Sequence, residues 1–111
     1  MAKDKKLQRL EKEVELLKKI KTAILSGNYE ETEHAKKRGK ERGIIGADFE
    51  YVLKTGSHEP SKDKFDEIYK AWNYAIRGKT LDKMELRIII AFDKDGLLLI
   101  TVIDLNLEIE E

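Results

Sequence analysis

The sequence predicts an α+β domain, with N-terminal helices followed by a three- to four-stranded antiparallel sheet. Three observations predict it. Up to residue 56, outside residues 34–43, the apolar residues recur at helical steps, and each expected helix stops at a glycine, Gly27, Gly43 or Gly56. From residue 72 onward the pattern changes to alternation and β-branched content, in "WNYAIRGKT" and "MELRIIIAFD". Between two such runs lies "DKDG", residues 93–96, which reads as a hairpin turn. A chain of 111 residues supports one core. It is therefore read as a single domain, 1–111, made of an amphipathic helix (1–27), an α+β core (28–105) and a tail (106–111).

The first helix is expected over residues 4–26. Leu7, Leu10, Val14, Leu17 and Ile24 fall on alternating three- and four-residue steps, with Ile20 beside them. That seam is read first as packing on the domain's own sheet, with a pairing of two chains as the alternative. "NYEETE", residues 28–33, is a linker or a short strand. Thr32 can cap the next helix with its hydroxyl, and that helix runs to about Arg42. Ile44 and Ile45 then enter the core. Gly46 opens "ADFEYVLKT", in which Phe49, Val52 and Leu53 share a face. "SHEPSKDK" is a loop by composition. Phe65, Ile68, Tyr69 and Trp72 sit at helical spacing, which predicts a short helix over 62–71.

The hairpin register follows from its turn. A three-residue loop with Gly96 left-handed sets Asp93 opposite Leu97. One face then carries Met84, Leu86, Ile88, Ile90 and Phe92 with Leu98, Ile100 and Val102, and is wholly apolar. The other carries Arg87, Ile89 and Ala91 with Leu99, Thr101 and Ile103. "NLEIEE" alternates and extends the last strand.

Composition narrows the function. There is no cysteine, so disulfides, thiolate metal sites and cysteine nucleophiles are absent together. No apolar run reaches the length of about 18 residues that a membrane helix needs. The charged N-terminus has no signal-like core, so a cytoplasmic location is expected. The charged fraction is 40%, a balance resembling that of proteins from hot-living organisms. Net charge is zero, but residues 1–27 carry eight Lys or Arg against four acids, and residues 84–111 carry two against seven. General nucleic-acid binders usually show a basic excess, so any such site here is local.

"HAKKRGKERG", residues 34–43, is the local exception. It holds no Leu, Ile, Val or Phe, so it cannot anchor itself as amphipathic helices do. His34, Arg38 and Arg42 stand four residues apart and share one helix face, about 6 Å between neighbours. An imidazole can give or take a proton, and guanidiniums hold phosphate through forked hydrogen bonds. That trio suits metal-free phosphodiester cleavage. Ala35 and Gly39 allow close approach to another backbone. If the mixed sheet face lies beneath, Arg87 and Thr101 join the set. The alternative is a solvated helix whose charges pair locally. His58 reads as an ordinary loop residue, and Trp72, Tyr74 and Phe65 read as core. No cofactor or metal site is indicated.

"TEHAKKRGKERGIIGADFEYVLKTG", "WNYAIRGKT" and "LRIIIAFDKDGLLLITVIDL" together resemble the small prokaryotic family catalogued as domain of unknown function 4258, over roughly residues 29–104. That family is similar in layout to small RNase toxins of the RelE and BrnT kind. The resemblance implies a metal-independent ribonuclease or RNA-binding protein with RNA as its ligand and an antitoxin-like protein partner. It carries His34, Arg38, Arg42, Arg87 and Thr101 as site residues. The competing expectation is a non-catalytic dimerisation or protein-interaction module, a homodimer built through the N-terminal helix.

Overall fold

The computed structural model describes residues 11–106. Its elements are α1 (Leu16–Ser26), β1 (Tyr29–Glu31), α2 (Glu33–Arg42), α3 (Gly46–Thr55), β2 (Ser57–His58), a single 3-10 turn (Pro60–Lys62), β3 (Lys64–Asp66), β4 (Ala71–Lys79), β5 (Glu85–Asp93) and β6 (Gly96–Asp104). The α+β class is as expected. The sheet is larger than expected, and mixed. Its strands run β1-β6-β5-β4-β2, with β3 also on β4, and β1 lies parallel to β6. β1 also falls between α1 and α2, so helices and strands are not cleanly segregated along the chain.

The first helix is shorter than its periodicity predicts. Residues 4–10 lie outside the described residues, and 11–15 are not helical. Glu15 holds a left-handed backbone, φ 54°, immediately before α1. Leu16, Ile20, Ala23 and Ile24 then bury in the domain's own core, and α1 packs against α3. Of the expected seam, Ile20 and Ile24 are buried within the chain, Leu17 is half-buried and Val14 is exposed, while Leu16 and Ala23, outside the expected seam, complete the buried face.

The expected helix over 62–71 is absent. β3 and β4 form a hairpin there, with Phe65 opposite Trp72. The helical spacing had a different cause. Phe65 and Trp72 meet across the hairpin in an edge-on ring contact, centroids 5.4 Å apart. Ile68 and Tyr69 stand on the exposed turn, 85% and 80% accessible. Asp66 Oδ1 fastens that turn by accepting from the N–H groups of Ile68 and Tyr69. Ile45 is likewise not in the core. It is exposed ahead of α3, while Ile44 is buried.

The β5–β6 hairpin departs from the expected register near its turn. Asp93 pairs with Gly96 around a two-residue loop, and Asp93 Oδ1 accepts from the N–H groups of Asp95 and Gly96. A bulge at Ile89/Ile90 then restores the expected pairing, Ile89 with Thr101 and Ile88 with Val102. The consequence is that Leu97 and Leu99, not Leu98 and Ile100, face the core with Val102.

One face of the sheet carries the core. Leu86, Ile88 and Ile90 meet Ile20 and Ile24 of α1, Ala35 of α2, and Phe49, Val52 and Leu53 of α3. Fully burying a side chain of this size contributes about 1.5–3 kcal/mol. No helix among the described residues is long and apolar enough to cross a membrane.

Candidate functional site: the cationic helix α2

α2 has ten residues, of which only Ala35 and Gly39 are buried. At about 0.8 kcal/mol per buried carbon group, that contact alone stabilises little. The helix is held by its ends instead. At the start, the Thr32 hydroxyl accepts from Ala35 N (3.1 Å) and donates to Ile100 O (2.9 Å), while Thr32 N donates to Leu99 O (3.0 Å). The cap foreseen in the sequence thus also ties the helix to β6. At the far end Gly43 takes φ 71°, Ile44 N reaches Gly39 O (2.8 Å), and Ile44 enters the core. Gly39 lies against Phe49. A Cβ there would stand 3.2 Å from the ring.

Docked this way, α2 leaves its long side chains at the surface. Five of its ten residues are Lys or Arg, against two Glu. His34, Lys36, Lys37 and Lys40 are exposed, and Arg38 and Arg42 are half-buried. The Nε atoms of Arg38 and Arg42 are shielded from solvent. Their stems therefore lie along the protein, as long cationic chains commonly do. Glu33 in the first turn and Lys40 and Arg42 in the last complement the helix dipole.

The five sequence-chosen residues do not converge. Ala35 of α2 belongs to the same buried cluster as Leu86, Ile88 and Ile90, so α2 sits on the core face of the sheet. Successive strand residues point to opposite faces. Arg87, between Leu86 and Ile88, faces the other way, and Thr101 shares that side through its pairing with Ile89. The condition under which Arg87 and Thr101 would join the set, the mixed face lying under α2, is not met. The structure keeps His34, Arg38 and Arg42 on one helix and sets Arg87 and Thr101 across the sheet from them.

Arg87 has its own role there. It is 4% exposed, and its Nε and Nη2 donate to the two oxygens of Glu59 at 2.6 and 3.3 Å. Arg77 joins, donating to Glu59 at 3.3 Å and to Glu85 at 2.7 Å. The hydrogen bond from Arg87 holds the Glu59 carboxyl below the usual carboxylate range, partial burial opposes this, and Arg77 adds to it. The forked geometry that suited phosphate is used on a carboxylate.

Sequence reasoning missed a second polar centre on the same β2–β4 side of the sheet. The Asp63 side chain is wholly inaccessible. It takes His58 Nε2 (2.8 Å) and Lys12 Nζ (2.9 Å) on one oxygen and Ala75 N (2.9 Å) on the other. His58 is thus an oriented imidazole rather than an ordinary loop residue, although no spacing rule could have joined residues 12, 58, 63 and 75. Among the described residues, no three His, Cys, Asp or Glu are grouped to hold a metal ion. A cleft of about 200 Å³ lies between β1 and the β5–β6 turn. Its rim includes Glu30, Asp93 and Asp95 and no residue of α2, so it is ill suited to phosphate.

Residues 32–104 match the family model described as "Domain of unknown function (DUF4258)". The match begins at the Thr32 cap and ends with β6, so it contains α2, α3 and β2 to β6. No curated protein and no solved structure matches the chain.

Proposed function

The chain belongs to the domain of unknown function 4258 family, whose description assigns no activity, and on that premise we propose from its own geometry that it is an RNA-binding, toxin-like ribonuclease acting through α2. One observation carries the reading. α2 docks by two small residues and its end caps, and five of its ten residues are cationic, with Lys36, Lys37 and Lys40 exposed and Arg38 and Arg42 half-buried. Arg38 and Arg42, with their stems laid along the protein, bind phosphate oxygens. Lys36, Lys37 and Lys40 add attraction to the backbone that carries no sequence preference.

His34 stands one turn from Arg38 on the same stripe and supplies the proton transfer. In the proposed step the ribose 2′-oxygen bonds to phosphorus as the bond to the 5′-oxygen breaks. The imidazole accepts the 2′-hydroxyl proton, and water protonates the departing 5′-oxygen. The guanidiniums stabilise the charge that builds on the phosphoryl oxygens. Arg87 and Thr101 take no part, because they stand on the opposite face of the sheet.

The test is cleavage of single-stranded RNA in the presence of a chelator. The full chain should cut, and His34→Ala should lower the rate by about 10²- to 10⁴-fold, the range for loss of a general base. Since His34 is exposed, the variant should melt at the wild-type temperature. Cutting at an undiminished rate by the variant would remove His34 from the mechanism.

A further inference from the structure

The chain ahead of α1 crosses in front of β4 and is fastened there. Glu13 N donates to the Tyr74 hydroxyl oxygen at 2.8 Å, and Lys12 Nζ reaches Asp63 at 2.9 Å. Between this segment and the sheet lies a cleft of about 90 Å³, lined by Glu11, Glu13, Ala71, Trp72, Tyr74 and Phe92. Its wall is aromatic and its rim is acidic. We propose that this cleft binds one guanidinium- or ammonium-bearing side chain of a partner peptide.

Three observations lead to that occupant. The faces of aromatic rings attract cations, Trp most strongly, and carboxylates at the rim add to the attraction. The Lys12 ammonium, held by Asp63 at 2.9 Å, stands 4.6 Å from the centroid of the Trp72 ring, so this ring already accommodates a cation beside it. The volume is well below the roughly 300–1,000 Å³ of pockets that take whole small-molecule ligands, and it suits the end of a single side chain. Glu13 is engaged by Lys19 at 2.5 Å, so Glu11, which is exposed, supplies the charge that meets the incoming cation. No α2 residue lines the cleft, and the site does not depend on RNA binding.

Trp72 is the one tryptophan of the chain, so its emission reports directly on the site. The full chain is titrated with a blocked Gly-Arg-Gly tripeptide, with the same tripeptide carrying uncharged citrulline, and with a simple alkylguanidinium salt. The arginine peptide should change Trp72 emission saturably in the millimolar range, and the citrulline peptide should bind about tenfold more weakly. Glu11→Gln should weaken the arginine peptide about threefold at unchanged melting temperature, and Arg38→Gln/Arg42→Gln should leave its affinity unaltered. Equal binding of the arginine and citrulline peptides, an unaffected Glu11→Gln variant, or no saturable change would overturn the proposal. An alkylguanidinium binding as tightly as the peptide would overturn the peptide assignment in favour of a free organic cation.

Discussion

Tyr29 and Glu50 show how a single contact couples this fold to pH. The Tyr29 hydroxyl donates to Glu50 Oε2, joining β1 to α3. That hydrogen bond, with burial and the Glu50 charge, pushes the phenol from 10.0 up to about 12. A raised value means the interaction stabilises the fold fully below pH 10.0 and is lost as pH climbs through about 12. Tyrosinate absorbance should therefore show one of the four tyrosines titrating near 12, and Glu50→Gln should bring it back toward 10.0. An unchanged titration in the variant would mean that Glu50 is not the cause. Glu59 works in the opposite direction. Its lowered value means that its ion pairs stabilise above the ordinary carboxylate range and are lost as pH falls through the depressed value. At this scale the candidate site was only partly legible. His34, Arg38 and Arg42 could be grouped because helical spacing brings neighbours together. Arg87 could not be assigned, because its partner Glu59 lies 28 residues away and only the folded chain joins them. The His58–Asp63–Lys12 centre was hidden for the same reason.

Among the elements, α3 and β4 depend on a contact between two backbones. Gly56 closes α3 with an ordinary φ of −77°, so its missing side chain is what the position requires. A Cβ there would stand 2.6 Å from Arg77 O and 2.7 Å from Val52 O, and one on Gly78 would stand 3.0 Å from Gly56 Cα. Gly56→Ala should cost about 2 kcal/mol of stability in a denaturant titration. A loss near zero would mean that the crossing can open without penalty. Gly56 was read from the sequence as a helix stop, and the helix does stop there, but the reason lies in the strand beneath. The same limit explains the lost helix at 62–71. Four apolar residues at helical steps are equally produced by a short hairpin with two residues at its turn, and periodicity over so short a span cannot separate them. β1, β2 and β3 have three, two and three residues, too few for alternation to register. The long strands were legible, β4 from its alternation and β5 and β6 because nine residues rich in β-branched and apolar side chains leave little choice.

At the scale of the described molecule, α1, α2 and α3 lie on one face of the sheet, and the Arg77–Glu59–Arg87 network marks the other. The zero net charge of the chain conceals this arrangement, because cationic α2 is offset by acids elsewhere. The α+β class could be read from periodicity alone. The side of the sheet that α2 covers could not, since Ala35 and Gly39 fit either face and the hairpin bulge changes which β6 residues point inward. The proposed function rests on α2 presenting a phosphate-binding surface. The most direct measurement of it is the affinity for single-stranded RNA across a salt series, for the wild-type chain and for Arg38→Gln/Arg42→Gln. Binding should weaken linearly on logarithmic axes as salt rises, and the double variant should lower the slope by about 1.4, two phosphate contacts at about 0.7 each. An identical slope in the double variant, or no salt-dependent binding at all, would contradict the account.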